Sequence, residues 1–406
     1  MSKFIIKGGE RLFGTVNISG SKNAALPILF SLITMGGVST LYNVPNIGDV
    51  DVALRILSSF GAKISRVGEK IKIDTNSLFP TCPKREDVSL IRASSYLLGA
   101  TLARFGVAYI QPFGGCNFDS RPIDMHIYAA EALGATFDGE KLTANRLVGA
   151  DIVFKKISVG ATVNALILTA NAEGVSRIFG YAKEPHIISF ADFLRSAGAK
   201  ITISDECITV VGAHLCGADA VIIPDMIEAG TFLALSLLTK SDIKVIGATP
   251  SHLDSFLYSA ADLGTVASIS DSEISLLGTP IEYSEIKTSP YPGFPTDLAP
   301  QMAPLLASGE GGIIREGVFR NRFGYLSSLS PFGLEFELGD GFAKIKKSNI
   351  HSARTRATDL RGGAAAMMCA LFASGESVIE DSIIIKRGYT DIVKKLTLIG
   401  ADIKEI

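Results

Sequence analysis

The sequence predicts an α/β protein of six repeated units, three to a globule, with sheets packed outside buried helices. Three recurring features carry that expectation. A glycine ends an amphipathic run and precedes a β-rich one at Gly61, Gly134, Gly198, Gly264, Gly333 and Gly400. A glycine there is a left-handed helix C-cap, and six of them 64 to 73 residues apart mark a repeat of the whole chain. A short β-branched run and an alanine-rich apolar helix recur upstream at matching offsets. One doubly wound sheet would not require six matched units.

In chain order, the first apolar helix is NAALPILFSLI (23–33), followed by the strand GGVSTLYNV (36–44) and an amphipathic helix running to Gly61. The second unit has 91–105, the strand GVAYIQP (106–112) and HIYAAEALG. The third has 159–171, 174–181 and FLRSAG, and the fourth 228–240, 241–248 and SAADLG. The fifth has 298–308, 311–318 and LSPFG, and the sixth 362–374, 375–382 and KKLTLIG. The apolar helices lack a polar face, which predicts burial, whereas the β-branched runs alternate as strands do. Each unit therefore reads as strand, buried helix, strand, surface helix, then one or two further strands.

At 406 residues with 47% hydrophobic and 20% charged side chains, the chain is globular in composition. A net charge of −2 gives no global drive toward nucleic acid or an anionic membrane. Five cysteines without a C-x-x-C pair fit a reducing compartment better than disulfides or structural zinc. No signal-peptide pattern or 18-residue apolar window is present, so a soluble cytoplasmic protein is expected.

Polar residues cluster at helix entries. Lys22 and Asn23 follow the strand TVNIS at the start of the first apolar helix, where free N–H groups favour an anion. Lys22 is either such a ligand or a solvated lysine. Cys116 follows two glycines in QPFGGCNFDSRPIDMH, with Arg121, Pro122, Ile123, Asp124 and Met125 just beyond. It is a reactive thiol or proton donor if cations lower its pKa, and otherwise an inert loop residue. His126 reads as a cap or packing residue, and no His or Cys cluster suggests a metal. Arg92 opens a helix with Tyr96 on its face, while Lys156, Ile157, Ser158 and Val159 lead into another. Asp297 in YPGFPTD is a helix-entry carboxylate or merely an N-cap. Arg320, Arg322, Asp359, Arg361 and Arg387 are either a dianion-binding group or solvated surface pairs.

GSKNAALPI, GGC with RPID, KISVGAT, PGFPTD, NRF, ATDLRGG and RGY, in that order, resemble the enolpyruvyl transferases. The resemblance spans the chain and implies a two-domain inside-out α/β barrel (an α/β prism) of six βαβαββ repeats. It implies one domain at 21–227 and another from 1–20 with 228–406, the active site lying in the cleft between them. The implied reaction moves the enolpyruvyl group of phosphoenolpyruvate to the 3-hydroxyl of UDP-N-acetylglucosamine, committing it to peptidoglycan. Lys22, Arg121, Arg322, Asp359, Arg361 and Arg387 would then bind phosphoenolpyruvate, and Asn23 would touch both substrates. Cys116 would act as general acid and fosfomycin target, and Asp297 as the base at the sugar hydroxyl. Arg92, Pro122–Met125, Lys156–Val159 and Val318 would line the nucleotide. No cofactor or metal is implied, the partners are small molecules, and a monomer is expected.

The chain departs from the family pattern at Met226-Ile227-Glu228, Arg320, Tyr325 to Leu329, Ile384 to Lys386, and the tetrad after Cys116. These leave open a related transferase with another nucleotide or shikimate 3-phosphate as acceptor, or a non-catalytic sugar-nucleotide-binding paralog. Ser21-Lys22-Asn23-Ala24-Ala25 favours the sugar-nucleotide branch, and retention of both Cys116 and Asp297 disfavours the binding-only class.

Overall fold

The computed structural model describes residues 2–406 apart from 116–121, 271–272 and 278–280. Cys116 and Arg121 thus lie outside the described residues. The chain forms two compact units: one takes the residues up to Ser19 together with Pro224–Ile406, the other the described residues from Gly20 to Ile223.

Each unit is built on three apolar helices. Those of the 20–223 unit are Lys22–Ser31, Leu97–Phe105 and Val159–Ala170, and those of the other are Met226–Thr239, Ala299–Ser308 and Leu360–Phe372. All twelve residues from Leu360 to Leu371 are buried, as the absence of a polar stripe requires. The surface helices, such as Gly48–Ser59 and Pro185–Ser196, keep one polar face. All six repeat glycines have positive φ, from 82° at Gly264 to 121° at Gly198, so each ends its helix in the left-handed conformation.

Five four-stranded sheets and one three-stranded sheet surround the helices among the described residues, and none closes into a barrel. The regular unit is seen in Asp151–Val153, parallel to Val175–Phe179, which pairs antiparallel with Cys207–Val211 and through it with Lys200–Ile203. This is the inside-out α/β prism.

Three sheets borrow a strand from far along the chain. Ala220–Val221 runs parallel to Val38–Tyr42, and Phe13–Asn17 runs parallel to Asp242–Ile246. Lys3–Gly8 inserts between Gly375–Glu380 and Asp402–Glu405. The repeats are therefore permuted relative to the chain, which periodicity did not predict. The second of the six repeats also departs from expectation. Its sheet holds only Val107–Tyr109, Lys141–Thr143 and Thr136–Phe137, with no leading strand among the described residues. Proline-containing chain and the one-turn helix Arg85–Val88 precede its buried helix instead. No helix among the described residues is long and apolar enough to cross a membrane.

Candidate functional site

In the 20–223 unit, Lys22 is the first residue of its helix and its Nζ lies 3.3 Å from Oδ2 of Asp49, in the first turn of Gly48–Ser59. Only 14% of the Lys22 side chain and 5% of that of Asp49 are exposed, so Lys22 is not a solvated lysine. Asp49 was not singled out in the sequence, because an acidic residue in a first helical turn usually serves the helix dipole. Asn23 is half-buried beside Lys22.

Arg92 opens a 3-10 turn, Arg92–Tyr96, rather than an α-helix, which corrects the expected start. Burial lowers its pKa, and Tyr96 works against that fall. Gly115 has φ +114°, and a Cβ on Gly114 would sit 1.9 Å from the carbonyl oxygen of Ser89, so the chain entering Cys116 needs both glycines. Beyond the undescribed residues, Pro122 and Asp124 are exposed, while Ile123 and Met125 are half-buried where helix Asp124–Ala132 begins.

Ser158 caps Val159–Ala170, accepting a hydrogen bond from Ala161 N at 3.3 Å, while Lys156 and Ile157 are exposed and Val159 half-buried. His126 is buried. Asn164 Oδ1 accepts from Gly99 N at 2.7 Å, so Asn164 Nδ2 is the donor to His126 Nδ1, also at 2.7 Å, and to Ser95 O. The imidazole proton is thereby assigned to Nε2. Burial, then the charge of Arg92, lower the pKa of His126 to about 4 despite Asp124, so it is neutral at pH 7.

In the other unit, Asp297 precedes Ala299–Ser308 but does not cap it; Leu298 holds that position. Its carboxylate instead meets two guanidiniums, Arg322 Nη1 at 2.8 Å on Oδ1 and Arg361 Nη2 at 3.1 Å on Oδ2. The Arg322 and Arg361 side chains are 5% and 3% exposed against 29% for Asp297. The carboxylate is thus gripped from inside while reaching solvent. The surface-pair reading fails for these two arginines and holds for Arg320, which forms an exposed ion pair with Asp340. Asp359 caps Leu360–Phe372 through Oδ1, 3.0 Å from both Arg361 N and Gly362 N. Arg387 is half-buried at the end of the 3-10 turn Ser382–Arg387, and Val318 is exposed after strand Gly312–Arg315.

Burial opposes the Arg361 charge, but Tyr389, Asp297 and Asp225 together raise its pKa. Its Nη1 is buried without a hydrogen-bond partner among the described residues, as is the hydroxyl of Tyr325. Two buried glutamates had no role assigned from the sequence. Glu316, buried at the end of Gly312–Arg315, accepts hydrogen bonds from Thr288 at 2.8 Å and Thr296 at 2.9 Å. Burial raises its pKa against those bonds and the charge of Arg322. Glu228 takes Lys395 Nζ at 2.6 Å and Ser19 N at 2.7 Å, and burial raises its pKa against the charge of Lys395. Glu228 was visible only as part of the Met226-Ile227-Glu228 departure ahead of an apolar helix, and Glu316 only as the charge after Arg315 at a strand end. Among the described residues no group of three or more His, Cys, Asp or Glu could hold a metal.

The family model of EPSP synthase (3-phosphoshikimate 1-carboxyvinyltransferase) matches residues 6–396. UDP-N-acetylglucosamine 1-carboxyvinyltransferase 3 of Caldanaerobacter subterraneus subsp. tengcongensis is 40% identical, covering 100% of both chains. The UDP-N-acetylglucosamine 1-carboxyvinyltransferase of Campylobacter hominis is 38% identical over 98% of each. Among solved structures, the enolpyruvyl transferase NikO from Streptomyces tendae superposes with a TM-score of 0.88 at 26% identity, covering 100% of this chain and 99% of that one.

Proposed function

From the premise that this chain belongs to the enolpyruvyl transferase family and transfers the enolpyruvyl group of phosphoenolpyruvate, we propose that its acceptor is the 3-hydroxyl of UDP-N-acetylglucosamine. The observation that carries this reading is the end-to-end likeness to relatives named for that acceptor, at 36–40% identity. The helix-entry residues of the 20–223 unit support it: Ser158 and the exposed Lys156 offer an N-terminal turn to a diphosphate.

In this reading Cys116 protonates the methylene carbon of phosphoenolpyruvate, making the adjacent carbon electrophilic. Asp297 takes the proton of the attacking sugar hydroxyl, and a phosphorylated tetrahedral ketal forms. Loss of phosphate and of one methyl proton restores the enol ether, so acid and base exchange roles. Lys22, Arg121, Arg322, Arg361 and Arg387 hold the carboxylate and phosphate of the donor throughout. Asn23 touches donor and sugar, while Arg92, Pro122–Met125, Lys156–Val159 and Val318 take the nucleotide. Asp359, already an N-cap, orients Arg361 through the first turn of its helix.

The test is phosphate release from phosphoenolpyruvate with UDP-N-acetylglucosamine, shikimate 3-phosphate or another uridine nucleotide as acceptor, with product mass recorded. Release with UDP-N-acetylglucosamine and a product heavier by one enolpyruvyl group is expected. Release only with a different acceptor sinks the assignment while leaving the reaction class intact.

A further inference from the structure

We propose that Glu316 is a positioning residue for the transfer, acting through the hydroxyl of Thr296 to fix Arg322 against Asp297. The contacts form one directed chain. A hydroxyl has a single proton to donate. Thr296 Oγ1 lies 2.9 Å from Glu316 Oε1 and 3.1 Å from Oε2, and a carboxylate can only accept, so that proton is spent on Glu316. What Thr296 then offers Arg322 is a lone pair, and Arg322 Nη1 donates to it at 3.0 Å. The same Nη1 is 2.8 Å from Asp297 Oδ1. The charge state of Glu316 thus sets the direction of the Thr296 hydrogen bond and the place of the guanidinium beside the reacting carboxylate.

Glu316 is itself held. Thr288 Oγ1 donates to Oε2 at 2.8 Å while accepting from Gly317 N at 3.0 Å, and Phe319 N approaches Oε2 at 3.5 Å. Oε2 is committed to those donors, leaving Oε1 as the better-placed acceptor for Thr296. Burying a carboxylate is costly unless it is paired, and this one is held by two threonine hydroxyls and reaches Arg322 through one of them, Thr296. A residue needed only for packing would be apolar at this position. An amide in its place would keep an oxygen for Thr288 and turn an N–H toward Thr296, presenting a donor where an acceptor is required.

This inference rests on the reading of Asp297 and Arg322 given above, and the series of variants separates the two. Steady-state kinetics with phosphoenolpyruvate and the acceptor would be measured for Glu316→Gln, Thr296→Val, Thr296→Ser, Asp297→Asn and the Glu316→Gln/Thr296→Val double variant, alongside thermal unfolding. Misplacing a group by a fraction of an ångström to an ångström costs up to about 100-fold. Glu316→Gln and Thr296→Val are therefore each expected to lower kcat roughly 10- to 100-fold. The acceptor KM should hold within about twofold, since uniform binding is untouched. The double variant should be no worse than the poorer single one, because both cut the same chain. Thr296→Ser keeps the hydroxyl and should stay near the parental kcat. Losses that multiply in the double variant refute the proposal, as does a kcat for Glu316→Gln equal to the parent or a loss explained by a lowered unfolding midpoint. If Asp297→Asn itself turns over at the parental rate, the reading of Asp297 fails; if it is inactive while Glu316→Gln is not impaired, the inference alone fails.

Discussion

Acidification should destabilise the 20–223 unit through His126, and the size of the effect follows from its surroundings. The imidazole is buried against Asn164 and Gly160 and takes up a proton only near pH 4. An unfolded chain takes one up near pH 6.5. The folded-state pKa is depressed, so the neutral form's contribution is intact above pH 6.5 and lost as the pH falls toward 4. By linkage, about 2 kcal/mol should disappear between pH 7.5 and pH 5. Glu228 and Glu316 act in the opposite sense. Their raised pKa values mean that the folded state takes up protons before the unfolded chain does as the pH drops, which adds stability. Both belong to the other unit. Comparison of the parent with His126→Asn in identical buffers cancels them. Asparagine places an oxygen where Nδ1 accepts from Asn164 but has nothing to protonate. Urea unfolding followed by far-ultraviolet circular dichroism suits a chain without tryptophan. The parent should lose about 2 kcal/mol more than the variant over this interval. An equal loss in both would show that His126 is already charged or solvent-accessible in the folded chain.

Other predictions concern chemistry and a buried pair. Cys116→Ala should lose turnover and fosfomycin labelling with the fold intact, whereas Cys116→Asp should keep activity and resist the drug; labelling of Cys82 or Cys216 instead would displace the assignment. Lys22→Ala and Arg387→Ala should each weaken kcat/KM for phosphoenolpyruvate by roughly 10- to 150-fold, the loss of a charged contact of about 1.5–3 kcal/mol, and unchanged values would exclude a donor-binding role. Lys395→Met strands a buried carboxylate and should cost about 3–5 kcal/mol, much of it recovered by adding Glu228→Leu; additive losses in urea unfolding would contradict this.

Local features of the fold were legible because they depend on residues close in sequence. The strand GVSRIFGY became Val175–Phe179, and the six glycines all adopted the backbone for which only their missing Cβ suits them. What escaped was non-local. Nothing near Phe13–Asn17 indicates that its partner lies at Asp242–Ile246, since strand pairing leaves no mark on either strand's own periodicity. At the candidate site, helix-entry positions exposed Lys22 and Asp297 to inspection. Asp49, Thr296 and Glu316 stayed hidden, each resembling an ordinary cap, turn or strand-end residue until folding placed it beside an ion. Arg320 shows the reverse: a conspicuous departure from the family pattern in sequence is a solvent-exposed pair with Asp340 in space.

The placement of Lys3–Gly8 sets an order in time. This strand is synthesised long before its partners, yet it sits inside its sheet, with Gly375–Glu380 on one side and Asp402–Glu405 on the other. Lys3 and Ile406 exchange two backbone hydrogen bonds. At about 5–20 residues per second, Phe4, Ile5 and Ile6 wait roughly 20–70 s for partners that the ribosome has not yet made. The three repeats between Gly20 and Ile223 have every strand they need once Val221 emerges. They can mature while the rest of the chain is still being translated, and a nascent chain arrested before residue 375 would leave one finished globule trailing an unpaired, apolar first strand as a target for chaperones.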